Sequence, residues 1–87
     1  MKPLFALAFA LTLAPFAAAA LPAVGDVVGT TPETATAALD AAGCKVDSFE
    51  PEDGQIEAKC VDAATSKMVE IYIDPKTGAV TQVKSDD

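Results

Sequence analysis

Two periods of apolar spacing divide the chain between Thr30 and Lys84. Ala35, Ala38, Leu39 and Ala42 fall at i, i+3, i+4 and i+7, and Glu33, Thr36 and Asp40 lie away from that stripe, which predicts an amphipathic helix. Two start signals compete for it. Thr30 with Glu33 fits a capping box, and Thr31 followed by Pro32 fits an N-cap with proline at the first helical position. Gly43 ends the helix as a left-handed residue just past the C-cap. A stripe made mostly of alanine lets the helix approach its partner closely but brings little apolar area.

Beyond Gly43 the period becomes two. Lys45 to Ser48, Gln55 to Val61 and Met68 to Ile73 alternate apolar with polar residues, and a fourth segment, Ala79 to Lys84, follows the last turn. The dividers are Pro51-Glu52-Asp53-Gly54, Asp62 to Ser66, and Asp74-Pro75-Lys76-Thr77-Gly78, each short enough for an antiparallel hairpin. The expected fold class is α+β: one helix packed on a three- to four-stranded antiparallel meander sheet. Ile56, Ala58 and Cys60 with Val69, Ile71 and Ile73 form the expected core face, so Glu57, Lys59, Glu70 and Tyr72 point away from the helix. Phe49 is out of phase with Val46 and falls on or near that second face unless a bulge intervenes.

The first twenty residues have a different character. Sixteen are apolar. Lys2 supplies a positive charge, Leu4 to Leu13 an apolar run, and Pro15 a break before Phe16 and four alanines, the order of a secretory signal peptide over residues 1–20. Ala18-Ala19-Ala20 places cleavage between Ala20 and Leu21, and the neighbouring alanines also permit a cut one residue earlier. The competing reading is an uncleaved membrane anchor, since Leu4 to Val24 holds only Thr12 as a polar side chain. Export predicts a periplasmic or secreted bacterial protein that has left the membrane. Residues 21–29 (LPAVGDVVG) read as an extended arm with room for one short strand around Val27-Val28, and residues 85–87 as an acidic tail.

Charge and missing residue types narrow the chemistry. The net charge is −7, and −8 once residues 1–20 are removed with Lys2, so nucleic acid is not an expected partner. There is no histidine, so Ser-His and Cys-His couples and imidazole metal sites are ruled out. The acidic run Glu50-Pro51-Glu52-Asp53-Gly54 does not fit a calcium loop. Aligning Gly54 with the loop glycine puts Phe49 at the first ligand position and Cys60 at the last. With no phosphate-binding glycine loop and no serine beside a base, the expectation is no catalytic residue, no metal and no cofactor.

Cys44 and Cys60 are the only cysteines. If Glu50 and Gly54 close the first turn, Ser48 faces Ile56, Val46 faces Ala58 and Cys44 faces Cys60, and the even residues of both strands lie on the core side. Export and this register argue for a disulfide, with a buried reduced pair as the alternative. A four-residue turn would misalign the two cysteines.

Several segments resemble the PepSY domain family, in particular its small stand-alone members exported by proteobacteria. They are Gly29-Thr30-Thr31 opening a helix, Ala38-Leu39 with Gly43, Phe49-Glu50-x-Glu52-Asp53-Gly54-x-Ile56-Glu57, and Glu70-Ile71-Tyr72-Ile73-Asp74-Pro75-x-Thr77-Gly78-x-Val80. The resemblance runs from about Gly29 to Val83, placing a PepSY-like domain at residues 30–84. It implies a helix on an antiparallel sheet, a role in inhibiting or regulating peptidases, and no catalytic residues. Cysteines at 44 and 60 depart from the usual aromatic or aliphatic residues there.

The expected function is therefore a non-catalytic periplasmic binding or regulatory module, a candidate peptidase inhibitor or modulator acting through its sheet surface or edge strand. The candidate partner-binding edge is Ala79, Val80, Thr81, Gln82 and Val83, and the candidate partner is a secreted or periplasmic peptidase. A second class of function is a small-ligand or cation-responsive envelope protein using the acidic surface. A third is a domain that serves only as a stable fold.

Overall fold

The computed structural model describes residues 21–85; the proposed leader, Ala20 at its cleavage point, and Asp86-Asp87 of the acidic tail lie outside the described residues. The elements are α1 (Pro32–Ala41), β1 (Cys44–Glu52), β2 (Gln55–Asp62), β3 (Met68–Ile73) and β4 (Val80–Ser85). The four strands form an antiparallel meander in the order β1-β2-β3-β4. Helix α1 lies beside β1 on one face of the sheet, so the expected α+β architecture is present with four strands. No helix among the described residues is long and apolar enough to cross a membrane.

Of the two helix starts, the structure selects Thr31. Its side chain accepts the Thr34 N–H, and Thr34 Oγ1 accepts the Thr31 N–H, so the capping box closes through Thr34 and not Glu33. Pro32 occupies the first turn, where its missing N–H costs nothing. At the other end the Gly43 N–H donates to the Asp40 carbonyl at 3.0 Å with φ of +88°, the left-handed stop expected from the sequence. Ala35 and Leu39 are the buried residues of the helix. They meet Cys44, Ala58, Cys60, Val69, Ile71, Ile73 and Val80, so the core face is the one assigned from the alternation.

The β1–β2 register differs from the expectation. Both strands continue to Glu52 and Gln55, which pair, leaving Asp53-Gly54 as a two-residue turn with φ of +51° and +80°. Asp-Gly suits a turn in which both central residues are left-handed, and such a turn follows the twist of the strands better than the longer loop anticipated. Val46 then pairs with Cys60, Phe49 with Ala58, and Cys44 with Asp62. A bulge between Val46 and Ser48 inserts Asp47 and reverses the alternation. Phe49 is thereby returned to the helix side, where it packs against the core and not on the open face.

The disulfide forms despite the altered register. Cys44 and Cys60 are bonded with their Cα atoms 5.3 Å apart, joining an edge strand to its neighbour on a diagonal, and both residues are fully buried.

Candidate functional site

An open sheet has two edges, and each is a potential pairing site for another chain. The β1 edge is obstructed. The Val46 N–H donates to Asp40 Oδ1 of the helix at 3.2 Å, the bulge at Asp47 bends the strand, and Pro51 has no N–H to offer.

The β4 edge is divided in two by the arm. Val27 bridges Ala79, the Gly25 N–H donates to the Val80 carbonyl at 2.8 Å, and the Val80 N–H donates to the Asp26 carbonyl at 2.8 Å. The arm then turns away. The Asp26 N–H donates to the Ala23 carbonyl and the Ala23 N–H to Asp26 Oδ2, which closes a turn over Ala23–Asp26. Val24 and Val27 are exposed to 65 % and 70 %, the exposed large hydrophobic residues among those described. The short strand anticipated around Val27-Val28 is thus a single bridge.

Of the five edge residues singled out from the sequence, two are already engaged by the arm and three are not. Ala79 and Val80 carry the arm. Thr81 is the extra residue of a bulge between Val80 and Gln82, and its hydroxyl sits 2.5 Å from Gln55 Oε1, to which it donates. Gln82 pairs with Tyr72 and Val83 with Ile71. Val80 directs both backbone groups outward, and the Tyr72 carbonyl faces β4, where Thr81 Oγ1 lies 3.3 Å away. Ile71, the residue before Tyr72, turns its backbone toward β2, so Val83 opposite it faces outward, with Ser85 following. Beyond Val80, β4 pairs only with β3 among the described residues.

On the face away from the helix, cross-strand neighbours gather Glu50, Glu57 and Tyr72 in one row and Lys59, Glu70 and Lys84 in the next. Glu57 is only 6 % exposed, although alternation alone puts it on a wet face. The Tyr72 hydroxyl donates to Glu57 Oε2 at 3.4 Å, and Lys84 Nζ sits 5.7 Å from the centroid of the Tyr72 ring. Loss of water raises the Glu57 carboxyl above its ordinary range, and the charge of Glu70 adds to this while Lys59 opposes it. Lys59 is held above the usual lysine value chiefly by Glu50, whose carboxylate lies 3.5 Å away. Desolvation and the charge of Glu57 raise the Tyr72 phenol as well. Sequence reasoning placed these residues on the correct face but missed the burial, because Glu57 lies between cross-strand neighbours, Glu50 on β1 and Tyr72 on β3, that are distant in sequence.

A shallow apolar groove of about 210 Å3 lies between the first turn of α1 and the far end of the sheet, lined by Pro32, Ala35, Phe49, Pro51, Ile56 and Pro75 among others. It is below the roughly 300 Å3 at which small-molecule sites begin. Among the described residues no group of three or more His, Cys, Asp or Glu side chains could hold a metal ion.

No curated protein and no solved structure matches the chain. The family model for the peptidase propeptide and YPEB domain matches residues 4–84, nearly the whole sequence and further toward the N-terminus than the motif resemblance reached. A single helix on a four-stranded antiparallel sheet, with a match of that extent, identifies the chain as a member of the PepSY_2 family of peptidase propeptide and YPEB domains.

Proposed function

We propose that this protein is an exported, non-catalytic regulatory module that binds an extended segment of a peptidase along the open stretch of β4, an inhibitor or modulator and not an enzyme. The leader at residues 1–20, cut between Ala20 and Leu21, carries it to the periplasm or beyond, and residues 30–84 form the working domain. The observation that carries the reading is the unequal treatment of the two edges. The β1 edge is blocked by Asp40, a bulge and a proline, while β4 from Thr81 to Ser85 has no outer partner among the described residues. Membership in a family described by peptidase propeptides supports a peptidase as the partner class. Strand addition supplies affinity through main-chain hydrogen bonds and needs no reacting group.

The test is a proline at an outward-facing amide. Val83→Pro removes an N–H that β3 does not use, whereas proline at Gln82 would break the β3–β4 ladder itself. Immobilised exported protein retains a peptidase from periplasmic extract. Val83→Ala, which keeps the amide, retains it too, and Val83→Pro loses it while circular dichroism shows an intact sheet. Equal retention by the proline variant refutes strand addition at β4.

A further inference from the structure

The open stretch of β4 has a closed end, and its side chains alternate in a way that specifies what can lie beside it. We infer that it reads a short antiparallel segment of the pattern acidic, aliphatic, polar, with the acidic residue opposite Lys84 and the aliphatic residue opposite Val83. This inference rests on the strand-addition reading and adds the direction, length and side-chain chemistry of the added segment.

Direction and length come from the arm. Val27 pairs antiparallel with Ala79, and the turn at Ala23–Asp26 ends the pairing just past Val80. A strand added antiparallel to β4 runs in the same sense as the arm and meets that turn with its C-terminal end. Thr81 is the bulged residue, so the stretch from Gln82 to Ser85 gives it four pairing positions at roughly 3.4 Å each. Continuing further would require displacing the hydrogen bonds that Gly25 and Asp26 make to Val80.

Side-chain chemistry follows from the alternation. Val83 shares the helix side with Ile71 and is only partly covered, so the residue opposite it extends the apolar surface. Lys84 and Gln82 lie on the other face. Lys84 is exposed, with its amine over the Tyr72 ring, and an added strand brings one side chain directly across from it. A carboxylate in that position meets a cation at the edge of an otherwise acidic protein. Gln82, exposed and uncharged, takes a polar neighbour.

The probes are fluorescein-labelled, end-blocked peptides: Thr-Glu-Val-Thr, the same peptide with lysine replacing glutamate, and Thr-Glu-Val-Thr carrying two further threonines at its C-terminal end. Fluorescence anisotropy against the exported protein gives tighter binding of the glutamate peptide by about two- to fivefold, the range of a cross-strand ion pair. The order reverses in Lys84→Glu, a surface change whose melting curve verifies the fold, and the two added threonines bring no gain. Equal affinities for the glutamate and lysine peptides, or a preference that survives Lys84→Glu, overturn the inference and leave strand addition standing. Absence of binding by every peptide overturns both.

Discussion

Cys44 and Cys60 are bonded to one another although neither is the other's cross-strand partner: Cys44 lies opposite Asp62, and Cys60 opposite Val46. The bridge therefore crosses the ladder on a diagonal and ties the start of the edge strand, just past the helix C-cap, to the buried centre of β2. Its removal by the double change Cys44→Ala and Cys60→Ala lowers stability by about 3 kcal/mol in the chain-entropy account of a loop this long. Urea denaturation with the slope held in common measures this. A loss below about 1 kcal/mol would show that the diagonal restrains little beyond what the ladder already fixes.

Leu39 is the large aliphatic residue that α1 contributes to the core, and it is fully buried. The alanine stripe around it adds little area, so docking of the helix depends on this side chain. Leu39→Ala costs about 2–5 kcal/mol, at the upper end if the neighbours cannot close the space. Thermal unfolding followed at a helix-sensitive wavelength checks it, and a cost near that of an exposed substitution would place the helix outside the cooperative unit.

The raised Glu57 carboxyl gives stability a definite direction with pH. Its proton is held more tightly in the folded chain than in the unfolded one, where the ordinary value of about 4.5 applies. Between that value and the raised one the native state binds more protons, so stability from this group increases as pH falls through the window and is lost as pH rises through it. Glu57→Gln removes this slope. The variant is more stable than the parent in neutral buffer and loses that advantage in mildly acidic buffer. Paired melting curves in the two buffers decide it, and a constant difference would show that Glu57 does not titrate abnormally.

Two glycines with left-handed backbones separate the arm's contact from the arm's conformation. A Cβ at Gly78 (φ +75°) would stand 2.7 Å from the Gly29 carbonyl carbon, whereas one at Gly25 (φ +99°) meets nothing within 4 Å. Gly25→Ala carries only the backbone penalty of about 1–2 kcal/mol. Gly78→Ala adds the clash and pushes the arm off the β3–β4 turn, breaking the Val28 N–H bond to the Gly78 carbonyl. Amide exchange at Val28 accelerates in Gly78→Ala and stays close to the parent in Gly25→Ala. Equal exchange in both would mean that close approach at Gly29 does not position the arm.

Local patterns in the chain were enough to specify the elements. The helix between its threonine cap and Gly43, the places where the chain turns, and the buried faces of β2 and β3 follow from spacing and turn chemistry, which act over a few residues. Register depends on more than one strand. Whether the first hairpin turns on two residues or more, and whether Asp47 bulges, depends on how Val46 and Phe49 can both reach the core under a helix that the turn itself cannot sense. The cysteines were paired correctly from a register that does not occur, because a diagonal neighbour in an antiparallel ladder is also close enough to bridge. Only the tertiary structure decided that Glu57 loses its water, that Phe49 turns inward, and that the arm covers the start of β4 at Val80 and leaves the rest open. Each of these is set by residues distant in sequence competing for the same space, and a one-dimensional pattern carries no record of which competitor wins.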